Sequence, residues 1–157
     1  MLIPMLLLSS LNGTPQIDAL HYFQGTWSCE GHFEPSMKPI SSTMRFGGGE
    51  VSMAMQKHHD DHAPSNYHAI EIWGLAAEAG VYRATITDSY SGIRWFTSPG
   101  WVKDQWTWDK VLAAGERQEA FVYTRLTDRE MRVDWQVVRG GALSTGDTLT
   151  CKKIDQG

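Results

Sequence analysis

Met131-Arg132-Val133-Asp134-Trp135-Gln136-Val137 alternates apolar and polar residues without a break. Successive side chains of a β-strand point to opposite faces, so this run describes a strand with one buried face and one wet face. The same period of two recurs along the chain. Trp27, Cys29, Gly31 and Phe33 alternate with Thr26, Ser28, Glu30 and His32, and Val51, Met53 and Met55 with Ser52, Ala54 and Gln56. Tyr82, Ala84, Ile86 and Asp88 alternate with Arg83, Thr85 and Thr87. Trp106 and Trp108 flank Thr107, Phe121 and Tyr123 flank Val122, and Leu149 and Cys151 alternate with Thr148 and Thr150. Turn residues separate these runs: Gly47-Gly48-Gly49, Ala79-Gly80, Ser91-Gly92, Ser98-Pro99-Gly100, Ala114-Gly115, Thr127-Asp128 and Gly140-Gly141. Short strands joined by tight turns predict an all-β, up-and-down antiparallel sheet of about nine or ten strands, enough to close into a barrel and remove its edges.

Ahead of the first strand, Thr14 to Phe23 carries Ile17, Leu20 and Phe23 at helical spacing. Thr14 is placed to cap and Pro15 to open the first turn, so a short N-terminal helix is predicted. Residues 1–13 contain the apolar run Met5-Leu6-Leu7-Leu8, too short to cross a bilayer. It reads either as the remnant of a signal peptide without its basic flank or as a segment docked on the barrel. Residues 14–157 then form one barrel domain, a size that buries a core without metal. The net charge of −4 comes from interspersed acids and bases, so nothing invites nucleic acid or an anionic membrane. Export to the periplasm or outside the cell suits the signal-like start, with the cytoplasm as the alternative, and the chain is expected as a monomer or homodimer.

Phe23-Gln24-Gly25-Thr26-Trp27-Ser28-Cys29-Glu30-Gly31 resembles the Gly-x-Trp opening of lipocalins and related calycin barrels, in which the Trp plugs the barrel floor. From about Leu20 to Lys153 the chain looks like an uncharacterised bacterial lipocalin-like family. The matching stretches are His59-Asp60-Asp61, Asn66 to Gly74, Asp88-Ser89, Gly92 to Phe96, Ser98 to Trp101 and Gly146 to Lys152. This resemblance implies a lipocalin-like barrel and brings no activity with it. The opening also resembles nitrobindin-type barrels, which hold haem through a histidine near the C-terminus. Here the last histidine is His68, which speaks against haem ligated in that way, and no cofactor is expected.

Cys29 on the first strand and Cys151 on the last share the apolar parity of their strands. In a closed barrel those strands are neighbours. The two cysteines are therefore either a disulfide across the seam or two buried thiols.

The densest chemistry is Lys57-His58-His59-Asp60-Asp61-His62, followed by Tyr67, His68 and Glu71. Histidine and aspartate ligate metals and also move protons. His59, Asp61 and His68 are the metal candidates, but no recognised zinc spacing is present and no metal is expected. A solvated hairpin end is the plain alternative. If Met53 and Met55 point inward, so do Lys57 and His59. On the following strand the Tyr67, Glu71, Trp73 face is chosen as the cavity wall, leaving Ile70 and Ile72 for packing under the helix. Asp88, Asp104 and Arg125 share inward parity. A carboxylate there needs a partner such as Arg125 or Arg94, or a wet site, and the plain alternative is that Asp88 and Asp104 sit at strand ends, on the rim.

Seven Trp are many for 157 residues. Each indole N–H needs an acceptor, which a wet cavity supplies. Trp27 is expected in the floor. The rings expected around a ligand are Tyr67, Trp73, Tyr82, Trp101, Trp106, Trp108, Tyr123 and Trp135, together with Arg94 and Arg125. Three functions fit. The first is binding of a small amphipathic, aromatic or sugar-like molecule. The second is metal-independent hydrolysis, either of a glycoside by Glu71 with Asp60, Asp61 or Asp88, or of an ester by water activated at His59 and Asp61. The third is a filled barrel with a purely structural role. Binding leads, since no catalytic motif is strong.

Overall fold

The structure, a computed structural model, describes residues 14–48 and 53–155. Eleven strands run in chain order: β1 (Gly25–Phe33), β2 (Pro39–Gly47), β3 (Ala54–Asp61), β4 (His68–Ala76), β5 (Val81–Asp88), β6 (Gly92–Ser98), β7 (Trp101–Val102), β8 (Gln105–Lys110), β9 (Glu119–Thr127), β10 (Glu130–Arg139) and β11 (Ala142–Ile154). Each described pairing is antiparallel, and β1 pairs with both β2 and β11. The ring of ten strands closes where β6 meets β8, through Phe96 opposite Lys110 and Thr97 opposite Asp109, with β7 a short ribbon on β8. The expected up-and-down barrel is therefore the observed one. Among the described residues no helix is long and apolar enough to cross a membrane. The apolar run within residues 1–13, Gly49 of an expected turn, and Val51 and Ser52 of the strand expected after it lie outside the described residues.

Period two sets which side chains enter the barrel. Trp27 and Cys29 of β1, Met55 and Lys57 of β3, Tyr82, Ala84 and Ile86 of β5, Trp106 and Trp108 of β8, and Leu149 and Cys151 of β11 are all buried. Met53 departs from this expectation. It precedes β3 and is exposed, because the strand pairs with β4 only from Ala54 onward. On β4, Ala69, Glu71 and Trp73 turn inward, as expected of that face. Ile70 and Ile72 do not pack under the helix. They stand on the outer face with Ile93 and Trp95 of β6, all exposed. Asp104 is also exposed, in the tight turn between β7 and β8, where its carbonyl accepts the Arg125 N–H at 2.7 Å.

The predicted helix is a 3-10 helix, Ile17–Phe23, lying across one end of the barrel. Gln16 precedes it, and Thr14 makes no capping bond to it. Its start is held from the barrel instead: Gln16 N–H donates to the Tyr82 hydroxyl at 2.9 Å, and that hydroxyl donates to Gln16 O at 2.6 Å. Trp27 Nε1–H donates to Phe23 O at 2.7 Å and Trp101 Nε1–H to Ala19 O at 2.9 Å, so the helix plugs the floor with Leu20 and Phe23 buried.

Two glycines mark where backbone or ring comes too close for a side chain. A Cβ on Gly31 would sit 1.7 Å from Thr148 O, inside the β1–β11 ladder. A Cβ on Gly146 would sit 2.6 Å from the Trp135 ring. Gly146 is the unpaired residue where the β10–β11 register shifts between Trp135 and Gln136. Such a bulge re-aims the side chains around it, here Trp135 and Asp147.

Cys29 and Cys151 face each other across the β1–β11 pairing and form a disulfide. It joins residues 122 apart in sequence, so it restrains a long loop in the unfolded chain. Cys29→Ser with Cys151→Ser should cost about 2–5 kcal/mol, read as a lower urea midpoint. An unchanged midpoint would mean that the seam is held without the bridge.

Candidate functional site

The barrel interior has two halves. In the half next to the helix, rings fill the space. Phe23 stacks on Trp101 at 5.2 Å and meets Trp73, Trp106 and Tyr123 edge-on at 5.1 to 5.7 Å. Trp73 meets Trp108 at 5.1 Å, and Tyr82 meets Trp106 at 4.6 Å. Five residues expected to surround a ligand, Trp73, Tyr82, Trp101, Trp106 and Trp108, are thus packing residues. The Trp73 and Trp101 indoles find protein acceptors, Glu71 Oε2 and Ala19 O. Trp106 and Trp108 Nε1 are buried without an acceptor among the described residues. Arg125 belongs to the floor as well, its guanidinium lying over the Tyr22 and Trp101 rings at 4.3 and 4.4 Å.

The half away from the helix holds a cavity of about 370 Å3. Lys57 forms the boundary between the two halves. Its Nζ donates to Glu71 Oε1 at 2.8 Å and to the Tyr123 hydroxyl at 2.9 Å. Glu71 Oε2 accepts the Trp73 Nε1–H at 2.6 Å. Lys57 and Glu71 are 2% and 3% exposed, and the ammonium also lies 5.5 to 5.6 Å from the Phe46, Trp73 and Tyr123 rings. Glu71 itself does not reach the cavity wall, because Lys57 stands between them. Removing one member of such a pair strands a charge, whereas the intact pair is nearly neutral. Burial, followed by the Glu71 charge, pushes the Tyr123 phenol well above its ordinary range, so it remains a neutral acceptor for Lys57.

Above Lys57 the wall carries two polar groups. One is His59 and Asp61 at the end of β3, with His59 Nε2 3.1 Å from Asp61 Oδ1 and Ser65 Oγ–H donating to Asp61 Oδ2 at 2.6 Å. Burial lowers the His59 pKa, so the ring is held neutral. The other is Arg94 of β6, bonded to both Asp88 and Glu119. Trp135 Nε1–H adds a bond to Glu119 Oε1 at 2.9 Å, and the Tyr67 hydroxyl donates to Asp88 Oδ2 at 3.4 Å. Tyr67 stacks with Tyr90 at 6.2 Å, and both line the cavity. The apolar part of the wall is Phe33, Ile40, Met44, Phe121, Val133 and Leu149, and Asp147 of β11 also faces the space.

Of the residues singled out from the sequence, His59, Asp61, Tyr67, Asp88, Arg94, Tyr123 and Trp135 do meet around one space. Asp60 does not. It points to the outer face, where His68 Nδ1 lies 3.0 Å and Arg45 NH2 2.5 Å from its carboxylate, and these partners hold its pKa low. His68 is therefore separated from His59 and Asp61. Among the described residues no group of three or more His, Cys, Asp or Glu is arranged to hold a metal ion. Lys57, Glu119 and Asp147 are wall residues outside the expected set. Strand parity points to all three, since Glu119 shares its face with Phe121 and Tyr123, and Asp147 with Leu149 and Cys151.

Asp147 is the most perturbed acid of the wall. Burial pushes its pKa up to about 7, and the charges of Asp61 and Asp134 add to the rise. The folded chain thus holds a proton that the unfolded chain, near 3.8, has released. Raising the pH from about 4 to about 7 therefore removes stability, and the loss is complete above 7. Asp147→Asn should melt like the parent at pH 4 and a few degrees higher at pH 8, at about 2–4 °C per kcal/mol for this size. Parallel melting curves of the two proteins from pH 4 to 8 would contradict the assignment.

No protein-family model and no curated protein matches this sequence. Fold and chamber define the class: a closed ten-strand antiparallel β-barrel with an aromatic interior, compatible with a lipocalin-like fold and with ligand binding.

Proposed function

We propose that this protein binds a small amphipathic molecule inside the barrel, in the chamber above Lys57. The observation that carries the reading is the division of the interior. Rings pack one half, yet about 370 Å3 stays open in the other, within the usual range of small-molecule sites. A barrel with a purely structural role has no need of that space, since a filled core is more stable. The apolar wall suits a hydrophobic body, and the polar groups at His59, Asp61, Arg94 and Asp147 suit a single headgroup. The Gly25-Thr26-Trp27 opening, with its Trp under the helix, supports kinship with the uncharacterised lipocalin-like family. The disulfide supports residence in an oxidising compartment, periplasmic or extracellular.

Trp135 lies in the chamber wall and reports on occupancy. The neutral probe N-phenyl-1-naphthylamine should quench Trp emission and brighten on binding. Val133→Trp, which fills the chamber from β10, should weaken that binding at least about ten-fold while the protein still folds. A probe that binds the parent and the filled variant alike would place the site elsewhere, and no binding to the parent would defeat the reading.

Hydrolysis is the second reading, and one observation favours it: Asp147 is raised to about 7 beside the charge of Asp61. Carboxylates pushed apart in pKa are what glycoside hydrolysis needs. Glu71 is not available for this role behind Lys57. The Ser65 hydroxyl is no nucleophile for His59 either, because it donates to Asp61. Turnover of chromogenic glycosides by the parent, lost in Asp147→Asn, would replace binding with catalysis. No turnover would leave binding alone.

A further inference from the structure

We propose that the chamber selects a cation, a protonated amine carried on an apolar or aromatic body. This inference rests on the reading of the chamber as a binding site and names the class of its ligand. The geometry of the wall charges carries it. Two basic side chains line the chamber, and the Lys57 ammonium and both terminal nitrogens of Arg94 are already engaged, the unpartnered Arg94 Nε being buried out of reach. Lys57 donates to Glu71 and Tyr123, beneath which lie packed rings. Arg94 bonds two carboxylates, Asp88 and Glu119, so that cluster keeps one negative charge in excess. An anionic headgroup would have to break one of these buried pairs and strand a carboxylate, which is costly.

A cationic headgroup has the opposite prospect. Asp61 faces the chamber with a hydroxyl and a neutral histidine as partners, neither of which cancels its charge. Asp147 faces the same space from β11, close enough to feel the charge of Asp61. Two carboxylates sharing one half-enclosed space repel each other, and a positive group between them would relieve both. An ammonium brings three N–H donors and no acceptor, which matches walls richer in acceptors than in free donors. The rest of the lining fits the body of such a ligand. Phe121, Tyr67 and Trp135 line the same space, and aromatic rings attract a desolvated cation as well as an apolar group.

The test compares three ligands that share one body. Binding of 3-phenylpropylamine, 3-phenylpropan-1-ol and 3-phenylpropanoate to the full chain is measured by calorimetry at pH 8, with N-phenyl-1-naphthylamine as the control for an open, folded chamber. The amine should bind about ten-fold or more tighter than the alcohol, and the propanoate weakest of the three. Asp61→Asn and Asp147→Asn should each weaken the amine about ten-fold and weaken the alcohol and the naphthylamine far less. The proposal is overturned if the alcohol or the propanoate binds as well as the amine, or if neither variant weakens the amine. It is overturned alone if the naphthylamine binds and none of the three phenylpropyl ligands does. Failure of all four ligands would take the binding reading with it.

Discussion

A buried lysine sets the plan of this barrel. Lys57 is buried among Phe46, Trp73 and Tyr123, where Glu71 and the Tyr123 hydroxyl accept hydrogen bonds from its Nζ. Glu71 in turn spends its second oxygen on the Trp73 indole. The four side chains come from β3, β4 and β9, so strands distant in sequence must meet at one height. A partly satisfied network at this depth would be worse than an apolar layer. The network formed here acts as a partition. On one side the rings pack against each other and against the helix. On the other side the interior stays open.

That partition explains the contrast between the two ends. The floor is closed by the 3-10 helix, by backbone acceptors for the Trp27 and Trp101 indoles, and by Arg125 lying over two rings. Among the described residues the outer end has no such plug. Its polar side chains are spaced around a wall, tied to one another in small groups through Arg94 and Asp61. The Cys29–Cys151 bridge lies in the β1–β11 seam and pins the first strand to the last without entering the chamber. The short β6–β8 contact is the weak point of the ring, and Val111 N–H extends it through a bond to Trp95 O at 2.8 Å.

Much of the fold was legible because period two is a local signal. The alternation in β10, the turn glycines and the parity of the two cysteines each follow from residues a few positions apart. β2 escaped notice since Ser42 interrupts the apolar series Ile40, Met44 and Phe46 with a small polar side chain. The site was harder. Parity says whether a ring points inward, but not how far along the barrel axis it sits. That height depends on strand tilt and stagger, which arise only when the sheet closes. Trp73, Trp106 and Trp108 therefore looked like Trp135 from the sequence, although they fill the floor and Trp135 lines the chamber. Glu71 failed as a chamber acid for the same reason, since nothing local says that Lys57 covers it. Met53 missed the interior because it lies before the start of β3, where alternation no longer applies, whereas Asp104 lies beyond the end of β7, at the rim position that was its alternative.

The central claim is that Lys57 and Glu71 separate a filled half from a chamber open to ligands. Methyl-resolved NMR with the neutral naphthylamine tests it most directly, because buried methyl groups lie on both sides of that layer. Shifts at Ile40, Met44, Val133 and Leu149, with Met55 and Met131 unmoved, are the result expected from this account. Shifts spread equally over both sets, or confined to Met55 and Met131, would contradict it.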